Sequence, residues 1–201
     1  IAGAAYGSAE AEQWGVATRA VDFFDVKGDI ESLIAPLAVI YERATHRALH
    51  PGRAARVSIN GHFIGWVGEL HPKWVQKYDL PRAPVLFELD LEPLLVVPVP
   101  EFREVSRFPA VRRDIAVIVE ESVSVQSLLE CVRAGAGALL TDLTVFDIYR
   151  GTGIAPGCKS VAMGLNLQDI SRTLADVDAD AVVAQVVTDL GREHKATIRD
   201  K

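Results

Sequence analysis

Two periods alternate along this chain, and each change of period marks an element. Between Asp29 and Tyr41, the apolar residues Ile30, Leu33, Ile34 and Leu37 recur at helical spacing, and Pro36 is expected to end or kink that helix. The run Val57-Ser58-Ile59-Asn60-Gly61-His62-Phe63-Ile64 predicts a hairpin, because Asn-Gly supplies the two positive-φ residues of a tight turn. Val85 to Leu91 alternates Val85, Phe87, Leu89 and Leu91 with Leu86, Glu88 and Asp90, which predicts a strand. A helix followed by antiparallel strands implies an α+β unit. The first 20 residues carry little periodic signal, and fraying is expected there. At Val96-Val97-Pro98-Val99-Pro100 alternating prolines break any regular element, so a boundary is expected near Pro98, dividing the chain into 1–98 and 99–201.

The second part reads more sharply. Asp114 to Val119 predicts a strand, and Ser124 can cap a helix carrying Val125, Leu128, Leu129 and Val132. Leu143 to Tyr149 and Cys158 to Leu167 predict two strands joined by a Gly- and Pro-rich loop. A helix over Asp176 to Leu190 and a short strand at Lys195 to Arg199 complete the order β-α-β-β-α-β, the ferredoxin-like split motif. Both helices of that motif cover one face of the sheet. In the third strand, Val161, Met163, Leu165 and Leu167 fall on one side, and Ser160, Ala162, Gly164 and Asn166 on the other. The large set must meet the helices, which leaves a small, polar face uncovered. By the same rule Phe146 and Ile148 point inward while Asp147 and Tyr149 point outward; Ile115 and Val117 point inward and Ala116 outward. Tyr149 then offers a stacking surface, and Asp147 can accept from the N–H groups of a guanine edge. Alternation alone is equally consistent with a plain solvated sheet.

Composition narrows the classes. The chain has 201 residues, 49% hydrophobic and 24% charged, with formal net charge −6. That is too apolar for a disordered tail, and two cysteines, Cys131 and Cys158, exclude a dense disulfide framework. No apolar run approaches the ~20 residues of a membrane span, and no basic-then-apolar leader pattern opens the chain. A cytoplasmic setting with reduced cysteines is expected. A globally basic nucleic-acid binder is disfavoured, yet residues 102–119 carry Arg103, Arg107, Arg112 and Arg113 against Glu104 and Asp114, so a local basic patch is compatible with the acidic average. The only methionine is Met163 and the first residue is Ile1, as expected of a piece excised or processed from a longer chain.

No catalytic constellation is visible. Gly151 to Ser160 lacks an uninterrupted Gly-Lys-Ser and joins two strands, so a hairpin loop is expected rather than a phosphate cradle. His46 and His50 are four apart with no third ligand evident, and neither cysteine has metal-ligand spacing, so no metal site is expected. Asp176, Asp178 and Asp180 open the last long helix, where they complement its dipole.

Several motifs in order resemble a known family. Arg107-Phe108-Pro109-x-x-Arg112-Arg113-Asp114-Ile115-Ala116, Phe146-Asp147-Ile148-Tyr149-Arg150-Gly151, Lys159-Ser160 and Ser171-Arg172-Thr173-Leu174 are similar to the C-terminal, ferredoxin-like anticodon-binding domain of the bacterial phenylalanyl-tRNA synthetase β-subunit family. Independently, Val21-Asp22-Phe23-Phe24-Asp25-Val26-Lys27-Gly28-Asp29-Ile30-Glu31, Leu49-His50-Pro51-Gly52, Ile64-Gly65-Trp66-Val67-Gly68-Glu69-Leu70-His71-Pro72 and Phe87-Glu88-Leu89-Asp90 resemble the end of that subunit's catalytic-like domain. The resemblance implies an α+β fold: part of a class II synthetase-like antiparallel domain, then a ferredoxin-like domain. It implies an (αβ)₂ enzyme that joins phenylalanine to tRNA-Phe with ATP and Mg²⁺, with catalysis on the α subunit. This piece alone would then carry no catalytic residue, no metal and no cofactor, and no membrane partner.

Carried over residue by residue, the family's anticodon contacts fall on Ala116, Asp147, Tyr149 and Ser160, the positions that alternation assigns to the open face. Arg112, Arg113, Arg150, Lys159 and Arg172 are the candidate phosphate contacts. Two other readings compete: a ferredoxin-like ligand-sensing or protein-interaction module without RNA binding, and an acylphosphatase-like enzyme sharing the element order.

Overall fold

The computed structural model describes residues 1–96, 99, 102 and 104–199. The chain divides into two compact units, 1–100 and 101–201. Pro98, where the boundary is expected, and Arg103 lie outside the described residues.

The first unit holds β1 (Ala2–Ala5), α1 (Phe23–Ile34), β2 (Val39–Arg43), β3 (Leu49–Ile59), β4 (His62–Leu70), α2 (Pro72–Lys77) and β5 (Val85–Leu89). Its antiparallel sheet runs β1-β5-β4-β3-β2. α1 starts earlier than its apolar spacing suggests, because Asp22 and Asp25 form a reciprocal cap. The Asp22 carboxylate accepts from the backbone N–H of Phe24 at 2.7 Å, and that of Asp25 from Asp22 at 2.8 Å. The helix stops at Ile34, two residues before Pro36, and Tyr41 belongs to β2 rather than to the helix. Val26, Ile30 and Ile34 pack with Val57, Ile64, Val67 and Leu89 in the core. The hairpin turn forms as read, with Asn60 at φ 48° and Gly61 at φ 77°. The opening residues do not fray as expected: Ala2 to Ala5 pair with Glu88 to Val85. Nothing in Ala-Gly-Ala-Ala favours a strand by itself; the edge of β5 supplies the backbone partners.

The second unit holds β6 (Val111–Glu120), α3 (Val125–Ala136), β7 (Leu140–Tyr149), β8 (Cys158–Leu167), α4 (Asp176–His194) and β9 (Thr197–Ile198). The sheet order β7-β8-β6-β9 is that of the split β-α-β motif, with every pair antiparallel. Ser124 caps α3 by accepting from Ser127 N–H at 3.1 Å. Leu128 and Val132 of α3 and Val186 and Leu190 of α4 meet Val161, Met163, Leu165 and Leu167 in one fully buried core.

One inward position is corrected, and a second, Ile148, keeps the inward register but is 40% exposed and outside the core. β7 carries a bulge between Val145, which pairs with Met163, and Asp147, which pairs with Ala162. Phe146 is the extra residue; it is 51% exposed and its ring lies under Arg112, an open-face side chain. The bulge shifts the alternation by one, so Val145 and Ile148 sit opposite the inward Met163 and Val161, and Asp147 and Tyr149 opposite the outward Ala162 and Ser160.

Candidate nucleic-acid interface

The open face of the second unit is a trough. Ser160 lies between Tyr149 and Ile118, Ala162 between Asp147 and Ala116, and Gly164 between Thr144 and Asp114. The central strand therefore provides a floor of small residues, which Ala116 extends, and the other neighbouring positions provide larger flanking side chains. That flanking is why Ser160 is only 2% exposed and Ala162 9%, rather than lying on the bare shelf that alternation alone suggests.

At one end the Tyr149 ring leans toward the loop that follows it. Its hydroxyl is 3.4 Å from the Thr152 carbonyl, and a Cβ on Gly151 would stand 2.6 Å from that hydroxyl, so glycine gives the ring its room. Arg199 approaches the same ring from the opposite edge of the sheet. Its backbone N–H donates to the Ala116 carbonyl at 2.9 Å, and its guanidinium carbon lies 4.7 Å from the Tyr149 ring centroid. At the other end Arg112 donates through Nε to Asp114 at 2.8 Å and lies 5.7 Å from the Phe146 centroid. A Cβ on Gly164 would come within 2.8 Å of Arg112 and 3.0 Å of Asp114, so this glycine lets the ion pair lie across the strand. Between the two ends, Asp147 is exposed and, among the described residues, has no hydrogen-bonded or ionic partner. It is a free acceptor beside the trough.

The phosphate candidates divide. Arg113 shares the inward parity of Ile115 and Val117, and it is held against α4 by Asp176 at 2.6 Å and Asp180 at 3.0 Å. Lys159 shares the parity of Val161; it is 6% exposed, and its ammonium donates to the Glu121 carbonyl at 3.0 Å. Neither lies on the open face, and the period-two rule that located Tyr149 would have excluded both. Arg172 is engaged with Asp178 at 2.6 Å, and Arg150 forks onto Glu121 with its shortest contact at 2.7 Å. Arg112 alone of the five lies on the open face, paired with Asp114. Arg199 was missed because the last strand is too short to show a period. Among the described residues Arg199 has no ion pair, and Arg107 likewise is exposed without one.

These arginine–acid contacts also set the carboxyl behaviour around α4. The Arg172 guanidinium holds the Asp178 carboxyl below the usual carboxylate range, helped by the Ala175 N–H. Asp169 is held down chiefly by the backbone N–H and hydroxyl of Ser171, then by Arg172.

The loop from Gly151 to Gly157 is a hairpin connection between β7 and β8, and the adjacent Lys159 ammonium is turned away and buried. These residues do not fit a nucleotide-phosphate cradle. On the helix side, the fold brings Cys131 of α3 beside Glu193 and His194 of α4, with ligand atoms all within 4.8 Å of one another. Sequence spacing gave no sign of this group, because its members lie on different helices. Burial, and then Glu193, push the Cys131 thiol up to about 11. Both cysteines are free. No helix among the described residues is long and apolar enough to cross a membrane.

Two family models match the chain. One described as the phenylalanyl tRNA synthetase beta chain CLM domain covers residues 1–91, and one described as the ferredoxin-fold anticodon binding domain covers 106–199. The phenylalanine–tRNA ligase beta subunit of Dechloromonas aromatica is 47% identical over 199 residues, covering 99% of this chain and 25% of the relative. That of Ralstonia nicotianae is 48% identical over 208 aligned residues, covering 99% and 26%, and that of Neisseria gonorrhoeae 46% over 187, covering 93% and 24%. The chain spans about a quarter of the length of the curated relatives it matches. With the two family models in this order over two separately packed units, and close relatives aligned from end to end of it, the chain belongs to the phenylalanyl-tRNA synthetase β-chain family.

Proposed function

We propose that the second unit recognises the anticodon loop of tRNA-Phe on its open face. The observation that carries the reading is the floor of Ala116, Ser160 and Ala162, flanked along β7 by a stacking ring and an unpartnered carboxylate. A flat base needs a thin floor, a π-face and directional acceptors. Tyr149 supplies the face, Asp147 accepts from the N1–H and N2–H groups of guanine, and Ser160 offers a hydroxyl. The Arg199 guanidinium, itself planar, lies against the Tyr149 ring in the free chain. A bound base inserts beside it, with the cation closing over the second face. Arg112 on the open face and the exposed Arg107 are the first candidates for phosphate contact; Arg150 and Arg172, held by Glu121 and Asp178, would join only by exchanging a carboxylate for a phosphate.

The first unit serves assembly with an α subunit. Within an (αβ)₂ enzyme the pair performs ATP-dependent aminoacylation of tRNA-Phe. ATP and Mg²⁺ would serve to activate the amino-acid carboxylate on the partner subunit, and no residue of this chain is assigned to that chemistry.

Fluorescence titration of the chain with a tRNA-Phe anticodon stem-loop tests the recognition. Binding is expected to be tighter for the GAA loop than for a scrambled loop on the same stem. Equal affinities would overturn the proposal and favour a ligand-sensing or protein-interaction module.

A further inference from the structure

We propose that Cys131, Glu193 and His194 form a zinc site that ties α3 to the end of α4. Their ligand atoms, one sulfur, one imidazole nitrogen and one carboxylate oxygen, lie within 4.8 Å of one another. Zinc binds such donors at about 2.0–2.3 Å, so small side-chain rotations bring all three onto one ion. A fourth, open position remains for water. The mixed sulfur and nitrogen donors select zinc over magnesium and calcium, which take oxygen ligands.

The surroundings favour a cation. His194 is the last residue of α4, where the helix dipole is negative, and among the described residues it has no hydrogen-bonded or ionic partner. Asp189, largely buried one turn earlier, adds a second carboxylate nearby. Arg192 now contacts Glu193 at 3.0 Å but also holds Asp189 at 2.7 Å, so Glu193 can turn to a metal without stranding the arginine. Cys131 is buried and its thiol keeps its proton. Metal binding forms the Zn–S bond and releases the thiol proton to water, while a Glu193 oxygen and a His194 nitrogen supply the other two donors. The site lies on the helix side of the sheet, away from the trough, so its role is to clamp two helices rather than to contact RNA.

Calorimetric titration of the EDTA-treated chain with Zn²⁺, with Co²⁺ absorption as a second readout, tests the site. One equivalent of zinc is expected to bind and raise Tm, and Co²⁺ is expected to give a thiolate charge-transfer band. Both signals should vanish in Cys131→Ser and in His194→Gln and persist in Cys158→Ser, whose thiol lies outside the cluster. His194→Gln changes only a half-buried helix end, so it decides the matter even if the cysteine variant fails to fold. No zinc uptake by the folded chain, or uptake unchanged in His194→Gln, would overturn the proposal.

Discussion

Tyr149 and Arg199 reach one another from opposite edges of the same sheet, and the small side chains between them make that contact possible. Had Ser160 or Ala162 been large, the guanidinium could not cross to the ring. If Tyr149 stacks on a base, Tyr149→Ala should weaken loop binding by about 1–3 kcal/mol in the fluorescence titration. Unchanged affinity would remove Tyr149 from the interface. Arg199→Ala should weaken it by a smaller amount, about 0.5–1 kcal/mol, the usual worth of an exposed cation–π contact. A gain in affinity would instead mean that Arg199 blocks the ring. At this scale parity along a strand was legible, and it put Ala116, Asp147, Tyr149 and Ser160 on one face. Ion-pair partners were not. Arg113 meets Asp176 and Asp180, remote in sequence, and no local pattern carries that information.

At the scale of elements, α4 depends on its first turn. Asp176, Asp178 and Asp180 complement the dipole, and Arg113 and Arg172 bind these acids to β6 and to the loop before the helix. Because the folded-state carboxyl values of Asp178 and Asp169 are depressed, their contribution is present above the unfolded value, near 3.8, and is lost as pH falls through the lowered folded values. Urea unfolding between pH 5 and pH 2 should show stability falling with acid, and Arg172→Ala should flatten that fall. An unchanged slope in the variant would show that these contacts do not couple to folding. The elements themselves were readable because caps and periods are local: Ser124, Asn60-Gly61 and the alternation of β8 act over a few residues. β1 was not readable, since its strand conformation comes from pairing with β5. Nor was the bulge at Phe146, which exists only because β7 must keep register with β8.

Across the whole molecule, a net charge of −6 coexists with few cations open to the trough among the described residues. Single-stranded binding loses a slope of about 0.7 in log K against log salt for each phosphate neutralised. Arg107, Arg112 and Arg199 together imply a slope no steeper than about −2, shallow for an RNA-binding surface, with selectivity resting on the base contacts instead. A much steeper slope would bring Arg150 and Arg172 into the interface as phosphate contacts; a flat one would argue against phosphate contact altogether. The sequence alone determined the two-part order, the ferredoxin-like succession of elements and the facing of the β8 side chains. Each of these follows from backbone geometry repeated every two or three to four residues. Only tertiary structure decided which arginines stay open, that Lys159 is buried on a carbonyl, that Arg199 closes over Tyr149, and that Cys131 meets Glu193 and His194. Those outcomes depend on which strands and helices become neighbours, and side chains brought together by packing leave no period in the chain.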